Sequence, residues 1–225
     1  MDGWHASPRP SRQGRHDVVT ARGARGGETA GRVIAGSARG VRLVGPGEGT
    51  RPLGDRMKQS LFAILEPTIR GRAFLDLFAG SGAAGIEALS RGAASAVFIE
   101  RHRGAVEAIG RNLAATNLRD GRATVVKGDV TAWLRRAAAP GRPLGRFAAI
   151  LVDPPYDQPQ LVSDALGAVE AAGADAILAS DGVLVAKHPW RVALPGEVGL
   201  LRSSREERFG ETILTFYRWA EEVAA

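Results

Sequence analysis

The segment Leu75-Asp76-Leu77-Phe78-Ala79-Gly80-Ser81-Gly82-Ala83-Ala84-Gly85 constrains the fold more than any other part of the chain. An apolar run enters a glycine-rich turn and leaves as small, helix-compatible residues. Gly80, Gly82 and Gly85 satisfy the spacing G-x-G-x-x-G, which lets a ligand approach backbone amides that a side chain would screen. A strand passing directly into a helix is the building unit of a parallel α/β sheet.

The rest of the sequence keeps that rhythm. Ala73–Phe78 reads as a buried strand and Ala83–Arg91 as a helix. Strand and helix patterns then alternate through Ser95–Glu100, Arg103–Thr116, Ala123–Lys127, Val130–Ala138, Phe147–Val152, Leu161–Ala172 and Gly182–Lys187. Two late β-like runs, around Gly199–Arg205 and Thr212–Trp219, suggest a closing hairpin. The expected fold is α/β: a Rossmann-like, doubly wound, seven-stranded sheet with an antiparallel C-terminal hairpin. Ahead of it, Arg32–Ala35 and Val41–Val44 suggest a small β-rich extension. A helix capped by Asp55 and ending before Pro67 follows. Residues 1–30 contain few large apolar side chains, show no periodicity and read as a disordered basic tail. The expected division is therefore 1–30 tail, 31–70 hairpin and helix, and 71–225 main domain.

Composition narrows the function. The 225 residues, 44% of them hydrophobic, suffice for one α/β domain and a small appendage. No apolar stretch approaches the roughly 20 residues of a membrane span, and the start has no apolar signal core. A cytoplasmic location is the default expectation. The absence of cysteine excludes disulfides, thiolate nucleophiles and Cys-ligated zinc. His5, His16, His102 and His188 show no metal-binding spacing, and no metal is expected. The net charge of +6 favours phosphate-rich partners. Part of the excess lies between Gly31 and Ser60, where Arg32, Arg39, Arg42, Arg51, Arg56 and Lys58 face only Glu48 and Asp55.

Three carboxylates single out a cofactor. Glu100 ends the strand after the glycine turn, where a carboxylate can accept from ribose hydroxyls. Asp76 lies inside the first strand, where a dinucleotide site is usually apolar, and can hold a charged amino-acid portion. Asp129 follows the third strand and can accept from an adenine amine or cap a helix. A nucleoside carrying an amino-acid tail uses all three, which describes S-adenosyl-L-methionine. The candidate cofactor residues are Asp76, Phe78, Ala79, Gly80, Ser81, Gly82, Glu100, Asp129 and Val130.

A second motif, Asp153-Pro154-Pro155-Tyr156, ends the apolar run Ala148–Val152. It falls on the same sheet edge as the cofactor residues. Two prolines fix φ and remove two backbone donors, leaving carbonyls without competing N–H groups. The Asp153 carboxylate and the Pro154 carbonyl can each accept one N–H of an exocyclic amine, and Tyr156 offers a face for base stacking. Asp153, Pro154, Pro155 and Tyr156 are thus the candidate catalytic group, acting by transfer of a methyl to a base amine.

On these residues the chain resembles the class I S-adenosylmethionine-dependent methyltransferases. More narrowly, it resembles the RsmD-type bacterial 16S rRNA guanine-N2 methyltransferases. The likeness extends from Arg32 to Trp219. It includes Arg51-Pro52-Leu53-Gly54-Asp55-Arg56, Leu61-Phe62, Glu87-Ala88-Leu89-Ser90-Arg91-Gly92 and Asn112-Leu113. It implies methylation of a guanine N2 in 16S rRNA, within an assembled or partly assembled small ribosomal subunit; a monomer is the default expectation. The family usually has Thr after the Arg-Pro pair, where Leu53 stands here. Arg51, Asp55 and Arg56, with Arg32 and Arg39, are candidates for substrate contact or for tying the N-terminal segment to the core.

Three rivals remain. Asp-Pro-Pro-Tyr also serves adenine-N6 methylation of DNA, but the chain has no room for a typical target-recognition domain. A non-catalytic RNA-binding module has no use for Asp153 and Tyr156 beside a cofactor turn. A nicotinamide-dependent oxidoreductase would need a hydride-transfer constellation that is not evident. Trp133 and Trp190 read as packing residues.

Overall fold

Phe147–Val152 is buried at every position, as a parallel strand is when helices cover both faces of its sheet. In the computed structural model, which describes residues 29–45, 53–138 and 146–220, this strand lies at the centre. A two-stranded antiparallel sheet comes first, from β1 (Thr29–Arg32) and β2 (Arg42–Val44), followed by α1 (Asp55–Ile69). The main domain then runs β3 (Ala73–Leu77), α2 (Ala83–Ser90), β4 (Ser95–Glu100), α3 (Arg103–Ala115), β5 (Ala123–Lys127), α4 (Val130–Ala137), β6 (Phe147–Val152), α5 (Gln160–Ala172) and β7 (Leu178–Pro189). It closes with β8 (Glu197–Val198), β9 (Leu201–Phe209) and β10 (Thr212–Trp219).

The strand order is β5-β4-β3-β6-β7-β10-β9-β8. The first five are parallel, and β10 enters antiparallel between β7 and β9. The seven expected strands are joined by a two-residue eighth, β8. Chain order reverses between β3 and β6, and in such sheets the crevice outside the carboxyl ends at that switch point takes the ligand.

Each face of the sheet has its own apolar core. On one side α1, α2 and α3 bury Leu61, Phe62, Ile86 and Ile109 against Phe74 and Phe98. On the other, α4 and α5 bury Trp133, Leu134, Val162 and Leu166 against Leu75, Phe147 and Ile150. Trp133 is a packing residue as expected, 6.5 Å from Phe147 between ring centroids.

Several expectations shift. Helix α1 starts at Asp55 with Gly54 as its N-cap and no side-chain cap, and it runs past Pro67 to Ile69. Pro67 sits in the last turn, where its missing N–H costs one bond with little helix left to disrupt. Strand β1 begins at Thr29 rather than beyond residue 30, and β7 begins at Leu178 rather than Gly182. The basic-tail expectation for residues 1–28 lies outside the described residues. No helix among the described residues is long and apolar enough to cross a membrane.

The N-terminal sheet is clamped to the main domain by side chains of α2 and α3. Glu87, fully buried, accepts from Ile34 N at 2.7 Å, Ala35 N at 3.0 Å and Arg91 Nε at 2.7 Å. Ser90 Oγ accepts from Ala38 N at 2.9 Å and donates to Ala35 O at 2.6 Å. Asn112 bonds both Val44 N and Val44 O, and its amide also donates to Ser81 O at 2.9 Å. These polar contacts explain why Glu87-Ala88-Leu89-Ser90-Arg91 and Asn112 stand out within a mostly apolar helical pattern.

Candidate active site

The turn after β3 is wound tightly enough to require unusual backbone. Phe78 has φ 61°, a left-handed conformation that bulky residues rarely adopt and that concentrates at functional sites. Gly82, at φ 76°, caps α2, and a Cβ there would lie 3.2 Å from Ile109 and 3.3 Å from Phe98. At Gly85 a Cβ would lie 2.2 Å from Phe98 Cε1, so the helix approaches the sheet only because that position has no side chain. The close approach lets Gly85 N donate to Asp76 Oδ2 at 2.9 Å.

Asp76 is 2% exposed, and Oδ1 has no partner among the described residues. Burial pushes its carboxyl well above the usual carboxylate range, and the nearby charges of Asp153 and Glu100 add to the effect. The Gly85 amide only partly offsets this. A buried acid in this state is poised to receive a cation. Glu100 is held from two sides: Oε2 accepts from Gly80 N at 2.9 Å and Oε1 from His102 N at 2.7 Å. Asp129 caps α4 by accepting from Ala132 N at 2.8 Å through Oδ1, which leaves Oδ2 for a ligand.

These residues line one cleft of about 940 Å³. Its lining includes the candidate cofactor residues Asp76, Phe78, Ala79, Gly80, Ser81, Glu100, Asp129 and Val130 together with the candidate catalytic residues Asp153, Pro154, Pro155 and Tyr156. Gly82 does not reach the cleft wall; it makes the turn. The structure does not bring Arg32, Arg39, Asp55 or Arg56 to the cleft either. Arg32 Nε and Asp55 Oδ2 pair with each other at 3.0 Å, tying β1 to α1, and Lys58 Nζ donates to Arg32 O. Arg51 lies outside the described residues.

At the catalytic end, Pro155 O accepts from Gln158 N at 3.0 Å, closing the turn after β6. Asp153 Oδ1 accepts from Lys187 Nζ at 2.6 Å. The same ammonium lies 4.8 Å from the Tyr156 ring centroid, and the Tyr156 hydroxyl shares a hydrogen bond with Thr212 Oγ1. Tyr156 is 38% exposed, with its tip anchored by Thr212 and one face of its ring against the Lys187 ammonium. Lys187, near the end of β7, lines the cleft, and the sequence marks it only as the last residue of an expected strand. Ala30, Leu53 and His102 also line the cleft. Ala30 had been read as tail, and no periodic signal marks it.

The acids match S-adenosylmethionine on the structure's own terms. Asp76 lacks a cation that an α-ammonium would supply, and Glu100 and Asp129 keep acceptors for a ribose and an adenine amine. A doubly wound sheet with this cradle and Asp-Pro-Pro-Tyr after its central strand defines a class I S-adenosylmethionine-dependent methyltransferase. Residues 31–218 match the sequence model of the family described as Conserved hypothetical protein 95. The chain belongs to that family, the RsmD family of rRNA methyltransferases.

Relatives agree. YlbH of Bacillus subtilis (strain 168), provisionally named an rRNA methyltransferase, is 38% identical over 83% of this chain and 98% of its own length. Ribosomal RNA small subunit methyltransferase D of Escherichia coli (strain K12) is 40% identical over 56% of this chain and 60% of its own. The solved structure of the Escherichia coli protein yhhF, provisionally described as a methyltransferase, superposes with TM-score 0.68 at 31% identity. That match covers 84% of this chain and 97% of the other.

Proposed function

We propose that the protein transfers a methyl group to the exocyclic N2 amine of a guanine in 16S rRNA, within an assembled or partly assembled small ribosomal subunit. It would work in the cytoplasm as a monomer. The observation that carries this reading is the placement of Asp153-Pro154-Pro155-Tyr156 beside the Asp76–Glu100 cradle in one cleft. The names of the small-subunit relatives support the choice of RNA.

S-adenosylmethionine, held by Asp76, Glu100 and Asp129, supplies an electrophilic methyl on a sulfonium. The chain's own residues present the nucleophile. Asp153 Oδ2 and the Pro154 carbonyl accept the two N–H bonds of the amine, drawing its nitrogen toward tetrahedral geometry and aiming its lone pair. Lys187 holds Asp153 through Oδ1 and so fixes which oxygen faces the base. Tyr156 stacks on the extruded base and offsets the cost of unstacking it. Positioning contributes most of the acceleration, and Asp153 stands where the released amine proton can be taken.

The test uses radiolabelled S-adenosylmethionine with small subunits from cells lacking this protein, naked 16S rRNA and duplex DNA in parallel. Label recovered from the subunit as N2-methylguanine is expected. Label in DNA as N6-methyladenine would overturn the substrate. Asp153→Ala is expected to abolish turnover while cofactor affinity stays within a few-fold. A loss of affinity as large as that of Glu100→Ala would make Asp153 a binding residue instead.

A further inference from the structure

Trp190 is 39% exposed and belongs to neither apolar core. A packing tryptophan looks like Trp133, which is 6% exposed. Around Trp190 the structure gathers positive charge instead of hydrocarbon. The guanidinium carbons of Arg191 and Arg208 lie 4.7 Å and 4.8 Å from its ring centroid. Arg208 Nε donates to Gly210 O at 3.0 Å, which orients that guanidinium and leaves its terminal nitrogens free.

Neither guanidinium has a carboxylate partner within 4.0 Å among the described residues. Two arginines of the same hairpin differ in this respect, whereas Arg218 on β10 bonds only backbone carbonyls among the described residues. On the same hairpin Arg202 pairs with Glu197 and Arg205 with Glu207. Elsewhere on the surface Arg72, Arg103 and Arg122 are paired as well. An exposed indole carrying two guanidinium groups combines planar stacking surface, supplied by the ring or by a guanidinium lying on it, with phosphate-binding forks.

The cluster is continuous with the active site. Pro189, the residue before Trp190, pairs with Thr212, and Trp190 N donates to Glu211 O at 2.9 Å. Thr212 is the residue whose hydroxyl holds Tyr156. Tyr156 follows β6 and Trp190 follows β7, so both exposed aromatics lie at the carboxyl ends of neighbouring parallel strands. Tyr156 serves the target base, because Asp153 and Pro154 stand beside it. Trp190 lies outside that pocket and is not part of the cleft wall.

We infer that Trp190, Arg191 and Arg208 form a second nucleotide station, which stacks one unpaired base of the RNA flanking the target and grips its phosphates. The inference rests on the reading of the substrate as RNA. It names a contact that sets substrate affinity and takes no part in the chemistry. Stacking of this kind tolerates any base, since every base has a π-face. The station thus holds single-stranded RNA beside the site without choosing the target.

Two measurements test it. In the first, an unstructured oligoadenylate RNA is titrated against the full chain, and tryptophan fluorescence is followed in the wild type, Trp190→Phe and Trp190→Ala. The expected result is quenching that is lost in both variants, with affinity about 10-fold weaker in Trp190→Ala and largely kept in Trp190→Phe. Arg191→Ala with Arg208→Ala is expected to lower the slope of log affinity against log salt by about 1.4. Quenching that persists without Trp190, or unchanged affinity in Trp190→Ala, would overturn the station.

In the second, methylation of small subunits is expected to show a raised KM in Trp190→Ala, with affinity for S-adenosylmethionine unchanged. A raised KM for subunits with unchanged oligoadenylate binding would assign Trp190 to a ribosomal protein and overturn the RNA station. Because oligoadenylate carries no guanine, the first measurement succeeds or fails independently of the proposed methylation.

Discussion

Replacing Glu87 with Ala removes one of the contacts that join the N-terminal segment to the helix behind the glycine turn, the others being made by Ser90. Three donors converge on this carboxylate: Ile34 N, Ala35 N and Arg91 Nε. The two amides are partly buried, so each orphaned donor falls near the lower end of roughly 1–3 kcal/mol. Arg91 keeps Glu66 at 3.0 Å, so the loss stays toward the lower end of the roughly 3–5 kcal/mol of a broken buried pair. The sum is about 5 kcal/mol, or a fall in Tm of about 10–20 °C for a domain of this size. Urea unfolding is the assay, read as a lower midpoint at unchanged slope. Glu87→Gln keeps one acceptor and is expected to lose about half as much. Affinity for S-adenosylmethionine should weaken as well, because Ala30 and Leu53 of the clamped segment line the cleft. A loss below about 1 kcal/mol, the size of an ordinary surface substitution, would refute the clamp.

Three further predictions concern the cleft. The folded protein holds the Asp76 proton more tightly than the unfolded chain, so this group withdraws stability as pH rises from 3.8 through its raised folded value. Asp76→Asn should therefore be more stable than wild type in urea at neutral pH, with the gain shrinking as pH falls toward 3.8, while cofactor affinity measured by calorimetry drops roughly 10- to 150-fold. A variant no more stable at pH 7 would contradict this. Gly85→Ala places a Cβ 2.2 Å from Phe98 Cε1, so a thermal melt should show a loss of about 1–3 kcal/mol, with weakened cofactor binding as the Asp76 partner moves. Tyr156→Ala should lower kcat/KM by roughly 5- to 150-fold through lost stacking, whereas Tyr156→Phe, which loses only the Thr212 hydrogen bond, should cost a few-fold; equal damage would exclude stacking.

Much of the sheet was legible because a strand covered on both faces must be apolar at every position. Phe147–Val152 meets that demand in a way no surface helix would. The cofactor acids were legible for a similar reason: a charged residue inside or just after such a strand needs a ligand or a partner. Element ends were less legible. The expected strand starts at Gly182, yet β7 starts at Leu178, because Leu178 pairs with Phe147 of β6 and the chain passes through an irregularity before pairing resumes between Val183 and Ala149. Pro67 reads as a stop, yet α1 carries it in its last turn.

Side-chain partners separate what the sequence determines from what the fold decides. Local chemistry sets where a glycine turn, a rigid Asp-Pro-Pro and a buried strand occur, since each acts over a few residues. It does not select Lys187 for Asp153, 34 residues away, or Glu87 for Ile34 and Ala35, more than 50 residues away. Nor does it leave Trp190 outside the core while burying Trp133. Those outcomes follow from the strand order, which brings β7 beside β6 and hangs Tyr156 and Trp190 from neighbouring strand ends. A side chain's partner is whatever the closed sheet puts within reach, and only the assembled fold decides that distance.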